Sequence, residues 1–124
     1  MGKYTVLVNE NMGEVNWEMV KKADVHGVML CVGYGGEVDR LFRANADCCE
    51  KLGIPFGVYW TSYAVTERDA EAEKRELEGM IEGYHIEGPV RIFKNPGSII
   101  FFVGLTLPRY RFSKPSASLD MNLR

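Results

Sequence analysis

Residues 53–64 read GIPFGVYWTSYA. Gly53 and Pro55 punctuate an apolar run that reads as a buried strand. The run ends in Tyr59, Trp60, Thr61, Ser62 and Tyr63, rings with polar handles gathered where the strand gives way to a loop. Upstream, residues 27–36, GVMLCVGYGG, form a second near-continuous apolar run. Such runs are buried on both faces of a parallel sheet. Between the two, Val38, Leu41, Phe42, Asn45, Cys48, Cys49 and Leu52 recur at helical spacing and place an amphipathic helix.

The same rhythm extends outward in both directions. Residues 4–9, YTVLVN, predict a first strand, and Asn16 caps a short helix that carries Trp17 and Val20 on one face. Downstream, Thr66 and Asp69 resemble a capping box. They open a third helix with Ala70, Leu77, Met80, Ile81 and Tyr84 inward. Its acidic run, residues 67–82, fits a solvated face. Residues 89–93, PVRIF, predict a fourth strand. Strands that begin near residues 4, 27, 54 and 89, with helices between them, mean successive βα units. The expected class is α/β: a partial (β/α) barrel of about four units around a parallel sheet with right-handed crossovers.

At 124 residues the chain can bury one core, and 46% hydrophobic with 26% charged residues is an ordinary globular composition. No apolar run approaches the roughly 18 residues of a membrane span, so no membrane partner is expected. The opening MGKYTVLVNE has no signal-peptide core, so the chain as encoded is expected in the cytoplasm. Charge is uneven. Residues 1–90 hold 9 Lys/Arg against 16 Asp/Glu, net −7, whereas residues 91–124 hold 6 against 1, net +5. The βα rhythm also breaks near residue 95. SIIFFVGLTL, residues 98–107, reads as a fifth strand or a buried segment, and residues 108–124 have no periodicity. The expected division is a (β/α) unit over 1–95 and a divergent basic tail over 96–124. Nucleic acid is not the expected partner.

The residues from Met12 to Glu73 resemble those of the glycoside hydrolase family 25 lysozymes, which are muramidases. Gly13, Val15 and Trp17 match the end of that family's D-V-S-x-x-Q-G-x-I-D-W. Gly33, Tyr34 and Gly35 match R-A-G-Y-G, and Asp39, Phe42 and Asn45 match D-x-x-F-x-x-N. Gly53, Ile54, Pro55, Gly57, Val58, Tyr59, Ser62, Tyr63 and Ala64 match G-I-P-x-G-V-Y-x-Y-S-Y-A. The resemblance spans roughly residues 6–92. It implies a (β/α) barrel acting at the cell wall, with a groove for peptidoglycan glycan strands at the C-terminal ends of its strands. Sugar rings present apolar faces and hydroxyl edges, which suit aromatic platforms with polar tips. The expected substrate-binding residues are therefore Tyr34, Tyr59, Trp60 and Tyr63. Strand-end rings that finish the core are the competing reading.

Glycoside cleavage needs a carboxylic acid to protonate the leaving oxygen and a carboxylate opposite it. The family's first-strand Asp position holds Leu7, and its D-x-E positions hold Phe93 and Asn95. Cys31 stands for its Arg and Met12 for its Gln. Of the acids that could substitute, Glu14 and Glu87 lie in loops, and Glu10, just past the first strand, is the best placed for catalysis, with a solvated loop carboxylate as the plainer reading. The three cysteines lack zinc spacing, and Cys48 and Cys49 read as small core residues. No metal or cofactor is expected. The expected function is a lysozyme-like protein that has lost activity, by truncation or frameshift within the fourth strand or by divergence. Two alternatives are a glycan-binding pseudoenzyme and an α/β interaction module with a basic tail. Open sheet edges on a part-barrel further predict homodimerisation.

Overall fold

The computed structural model describes residues 5–23, 25–95 and, as backbone, 119–122. Its elements alternate: β1 (Thr5–Val8), α1 (Trp17–Lys22), β2 (Gly27–Tyr34), β3 (Glu37–Val38), α2 (Phe42–Leu52), β4 (Gly57–Ser62), α3 (Glu67–Ile81), β5 (Val90–Lys94) and β6 (Leu119–Asn122). A 3-10 turn, Glu10–Met12, comes after β1. Five strands pair in parallel in the order β1-β2-β4-β5-β6, which is a partial β/α barrel. The two-residue β3 pairs antiparallel with β2 at Gly33 and Tyr34. Since β4 occupies the other edge of β2 over the same residues, β3 must lie on the β1 side.

The strands of the sequence reading stand within about three residues of where they were expected. The rest of the expected tail, residues 96–118, 123 and 124, lies outside the described residues, but 119–122 form the strand β6 beside β5. Val38 falls in β3 rather than in the second helix, which starts at Phe42. No helix among the described residues is long and apolar enough to cross a membrane.

Side chains alternate across each strand, and the two faces are dressed differently. Val28, Leu30, Val32, Val58, Trp60, Val90 and Ile92 point to the helices. There they meet Phe42, Ala46 and Cys49 of α2 and Ala70, Leu77 and Ile81 of α3. The opposite face carries Met29, Cys31 and Tyr59, with Tyr34 and Phe93 packed against them. Cys48 and Cys49 part company, contrary to the expectation that both face the core. A step of about 100° along a helix leaves Cys48 exposed and Cys49 fully buried.

The sheet and β3 close on each other at Gly33, where a β-bulge also shifts the register to β4. A Cβ there would stand 2.4 Å from the Glu37 carbonyl oxygen and 2.6 Å from Cζ3 of Trp60. Neither neighbour can withdraw, because one is backbone and the other is a fully buried ring. Gly33→Ala is therefore expected to destabilise the fold by about 1–3 kcal/mol or more, as overpacking does. Chemical denaturation measures it, and an unchanged midpoint would contradict this packing.

Candidate functional site

The C-terminal ends of β1 and β2 converge on one network. After Val8 the chain turns at Asn9, whose side chain accepts from the Asn11 amide at 2.9 Å. This brings Glu10 over the β2–α2 loop. The Glu10 amide donates to Oδ2 of Asp39 at 2.8 Å. Oδ1 of Asp39 accepts from the Leu41 amide at 2.9 Å, and Asp39 is only 3% exposed. The Glu10 side chain returns the contact. Its Oε1 accepts from the Arg40 amide at 2.7 Å, and its Oε2 accepts from the Tyr34 hydroxyl at 2.7 Å. The Arg40 guanidinium stands 3.9 Å away.

These donors decide what Glu10 can do. The Arg40 backbone N–H first, then the Tyr34 hydroxyl, hold its carboxyl below its ordinary value of 4.5. The same bond is the main reason the Tyr34 phenol is pushed up to about 12. A general acid for glycoside cleavage needs its pKa raised. Glu10 is shifted the other way, and each of its oxygens already has a donor. The weak catalytic candidate of the sequence reading thus sits as a clamp between two loops.

Leu7, Phe93 and Asn95, the residues set against the strand-end acids of the resembled family, bring no carboxyl group to the rim. Leu7 lies on the face opposite the helices and is 49% exposed. The ring of Phe93 meets Tyr59 edge-on, centroids 5.6 Å apart at 63°. Asn95 donates its amide to the Ser62 carbonyl at 2.9 Å. Cys31, at the family's Arg position, is buried. Desolvation first and the Asp39 carboxylate second push its thiol up to about 12, so it is no ready nucleophile. Among the described residues no group of three or more His, Cys, Asp or Glu could hold a metal ion.

The four aromatic residues separate. Tyr63, just past β4, is 50% exposed, and its ring lies on Gly35, where a Cβ would stand 3.4 Å from Cδ1. Gly35 itself turns with φ 58° and donates its amide to Thr61 at 2.9 Å. Half-buried Tyr34 precedes Gly35 at the same strand end and packs against Met29, Cys31 and Tyr59. Tyr59 is 8% exposed, and its hydroxyl is 3.5 Å from the Val8 carbonyl. Burial pushes that phenol up to about 12. Trp60 must be moved from the rim altogether. It is fully buried on the helix side, and its indole N–H donates to Oε1 of Glu73 at 2.9 Å. Adjacent strand residues face opposite sides, so Tyr59 and Trp60 cannot line one groove.

Two residues escaped the sequence reading. Asp39 entered it only as a motif match, although Asp two residues before an amide it can accept is a turn signal. Glu73 was placed on a solvated face, yet it lies three residues after Ala70 and four before Leu77, which is the buried stripe. An open cavity of about 700 Å³ runs from the N-terminal ends of the strands, at His26, Gly57 and Arg91, along the face opposite the helices to Leu7, Met29 and Phe93. In (β/α) barrels the N-terminal end of the strands serves stability and the C-terminal end serves function. The rim is therefore the candidate site, despite the size of the cavity.

The fold defines a class: a parallel, sequentially wound portion of a (β/α) barrel with its loops gathered at one end. Two solved structures match it, both of the modular autolysin LytC from Streptococcus pneumoniae. Each aligns with a TM-score of 0.68 and 29% identity. One covers 72% of this chain, and the other, in complex with a synthetic peptidoglycan ligand, covers 74%. The chain spans 22% of the length of either LytC chain. No protein-family model and no curated protein matches.

The Glu10 clamp makes a prediction about acid. A carboxyl group lowered in the folded state stabilises above its unfolded pKa, and that contribution is lost as pH falls through the folded value. Melting temperature should therefore decline as pH falls below about 4.5. In Glu10→Gln it should be lower at neutral pH and decline less in acid. Parallel wild-type and variant curves would show that the clamp contributes nothing.

Proposed function

We propose that this chain is a lysozyme-like domain, related to glycoside hydrolase family 25, that binds peptidoglycan glycan strands without cleaving them. Residues 1–95 form the binding unit, and the platform is Tyr63 with Tyr34 beside it. The observation that carries the reading is the Tyr63 ring, half exposed and seated on Gly35 at the C-terminal rim. An exposed ring backed by a tight turn offers a flat apolar face to a pyranose. Support also comes from the likeness to an autolysin whose structure was solved with a synthetic peptidoglycan ligand.

Binding without turnover is what the carboxyl groups imply. Glu10 and Asp39 are the acids of the rim network, and both are engaged with loop amides. A proton donor and an opposing carboxylate across a scissile bond are not formed by them.

Retention on insoluble peptidoglycan tests the site. Tyr63→Ala should lower it by about fivefold, the worth of one aromatic contact, and Tyr34→Ala should lower it as well. Trp60→Phe, changed on the buried side, should lower the melting temperature and leave retention intact. Release of reducing sugar from the same wall should stay at background. Unchanged retention in Tyr63→Ala would remove the proposed site, and measurable turnover would remove the claim of binding alone.

A further inference from the structure

Behind the exposed Tyr63 ring stands a buried carboxyl group. Glu73 lies on the face of α3 that also carries Ala70, Leu77 and Ile81, and it is 6% exposed. A carboxyl group in an apolar layer is costly unless its oxygens find donors. Each has one. The Trp60 indole N–H donates to Oε1 at 2.9 Å, and the Tyr63 backbone N–H donates to Oε2 at 3.2 Å. Trp60 lies within β4 and Tyr63 is the first residue beyond it, so this one side chain spans the strand's end.

The turn between β4 and α3 is short and similarly held. The Ala64 amide donates to Oγ of Ser62 at 3.2 Å, and the Asp69 amide donates to Oγ1 of Thr66 at 3.0 Å. Tyr63 is the residue in this turn whose amide is fixed from the buried face of the helix. An apolar residue at position 73 would fill the layer equally well. It would leave the Tyr63 N–H without that acceptor, and a hydrogen bond to a carboxyl group is among the stronger ones.

We infer that Glu73 is a positioning residue for the glycan site: by accepting from the Tyr63 amide it fixes the direction in which the Tyr63 ring leaves the strand and lies over Gly35. This rests on the glycan-binding reading given above. Helix packing and glycan affinity then share one carboxyl group, although Glu73 touches no sugar.

The experiment compares Trp60→Phe with the double variant Trp60→Phe, Glu73→Leu. Removing the indole donor first means that the apolar residue at 73 orphans only the Tyr63 amide, so the fold survives. Tyr63 amide hydrogen exchange is read by NMR, and retention on insoluble peptidoglycan is read beside Tyr63→Ala. The expected result is exchange about tenfold faster in the double variant and retention lowered about fivefold, close to that of Tyr63→Ala. If exchange at Tyr63 is unchanged, Glu73 does not hold the platform and the inference is overturned. If Tyr63→Ala loses retention while the double variant keeps it, the platform stands and the positioning role falls. If exchange accelerates but Tyr63→Ala retains binding, the glycan reading itself fails and takes this inference with it.

Discussion

A parallel sheet has two faces to bury, and this chain spends its helices on one of them. The outer face is closed by α1, α2 and α3 over Leu30, Val58, Trp60 and Ile92, all at or near zero exposure. The other face is covered among the described residues by its own side chains: Met29 and Cys31 under Tyr59, and Tyr59 against Phe93. In a closed barrel this second face would be an interior packed in layers from all strands. Here, among the described residues, that face is open at Leu7, which is 49% exposed. The rest of the structure depends on that division. The rigid, well-packed side fixes the strand ends, and the strand ends present the loops.

The loops, in turn, are held by acids. Glu10, Asp39 and Glu73 each accept from backbone amides of a neighbouring segment, and between them they tie β1 to the β2–α2 loop and α3 to the end of β4. Hydrolysis would ask something else of carboxyl groups, namely a raised pKa on one and an open approach to the other. The donors that make Glu10 a good clamp are the reason it would make a poor acid. A rim built this way is preorganised for contact with a ligand, with little of its geometry left to be fixed on binding.

Much of this is legible in the sequence. Continuous apolar runs at 27–36 and 53–60, separated by a helical pattern, are enough to give a parallel βα fold, because hairpins alternate polar and apolar instead. Tyr63 as an exposed ring is legible too, from its place beyond the strand. Trp60 is misplaced when the three aromatic residues within positions 59–63 are taken as one group, because strand alternation separates Tyr59 from Trp60. Glu73 is hidden by its charge: a run of acids looks like a solvated face even when helical spacing puts one of them on the core stripe. The Glu10–Asp39–Tyr34 network cannot be read at all. Its partners are 24 to 30 residues apart, and only the paired ends of β1 and β2 bring them together.

The central claim is that glycan binds at the C-terminal rim, on Tyr34, Gly35 and Tyr63, and not in the cavity that opens at the N-terminal ends of the strands. The most direct measurement is an NMR titration of the isotopically labelled chain with soluble peptidoglycan fragments. The account predicts amide shifts that saturate together at Tyr34, Gly35 and Tyr63, with the Arg40 and Leu41 amides responding through the Glu10 and Asp39 contacts. Shifts gathered instead at Gly27, Gly57, Gly88 and Arg91 would place the ligand in that cavity and contradict it.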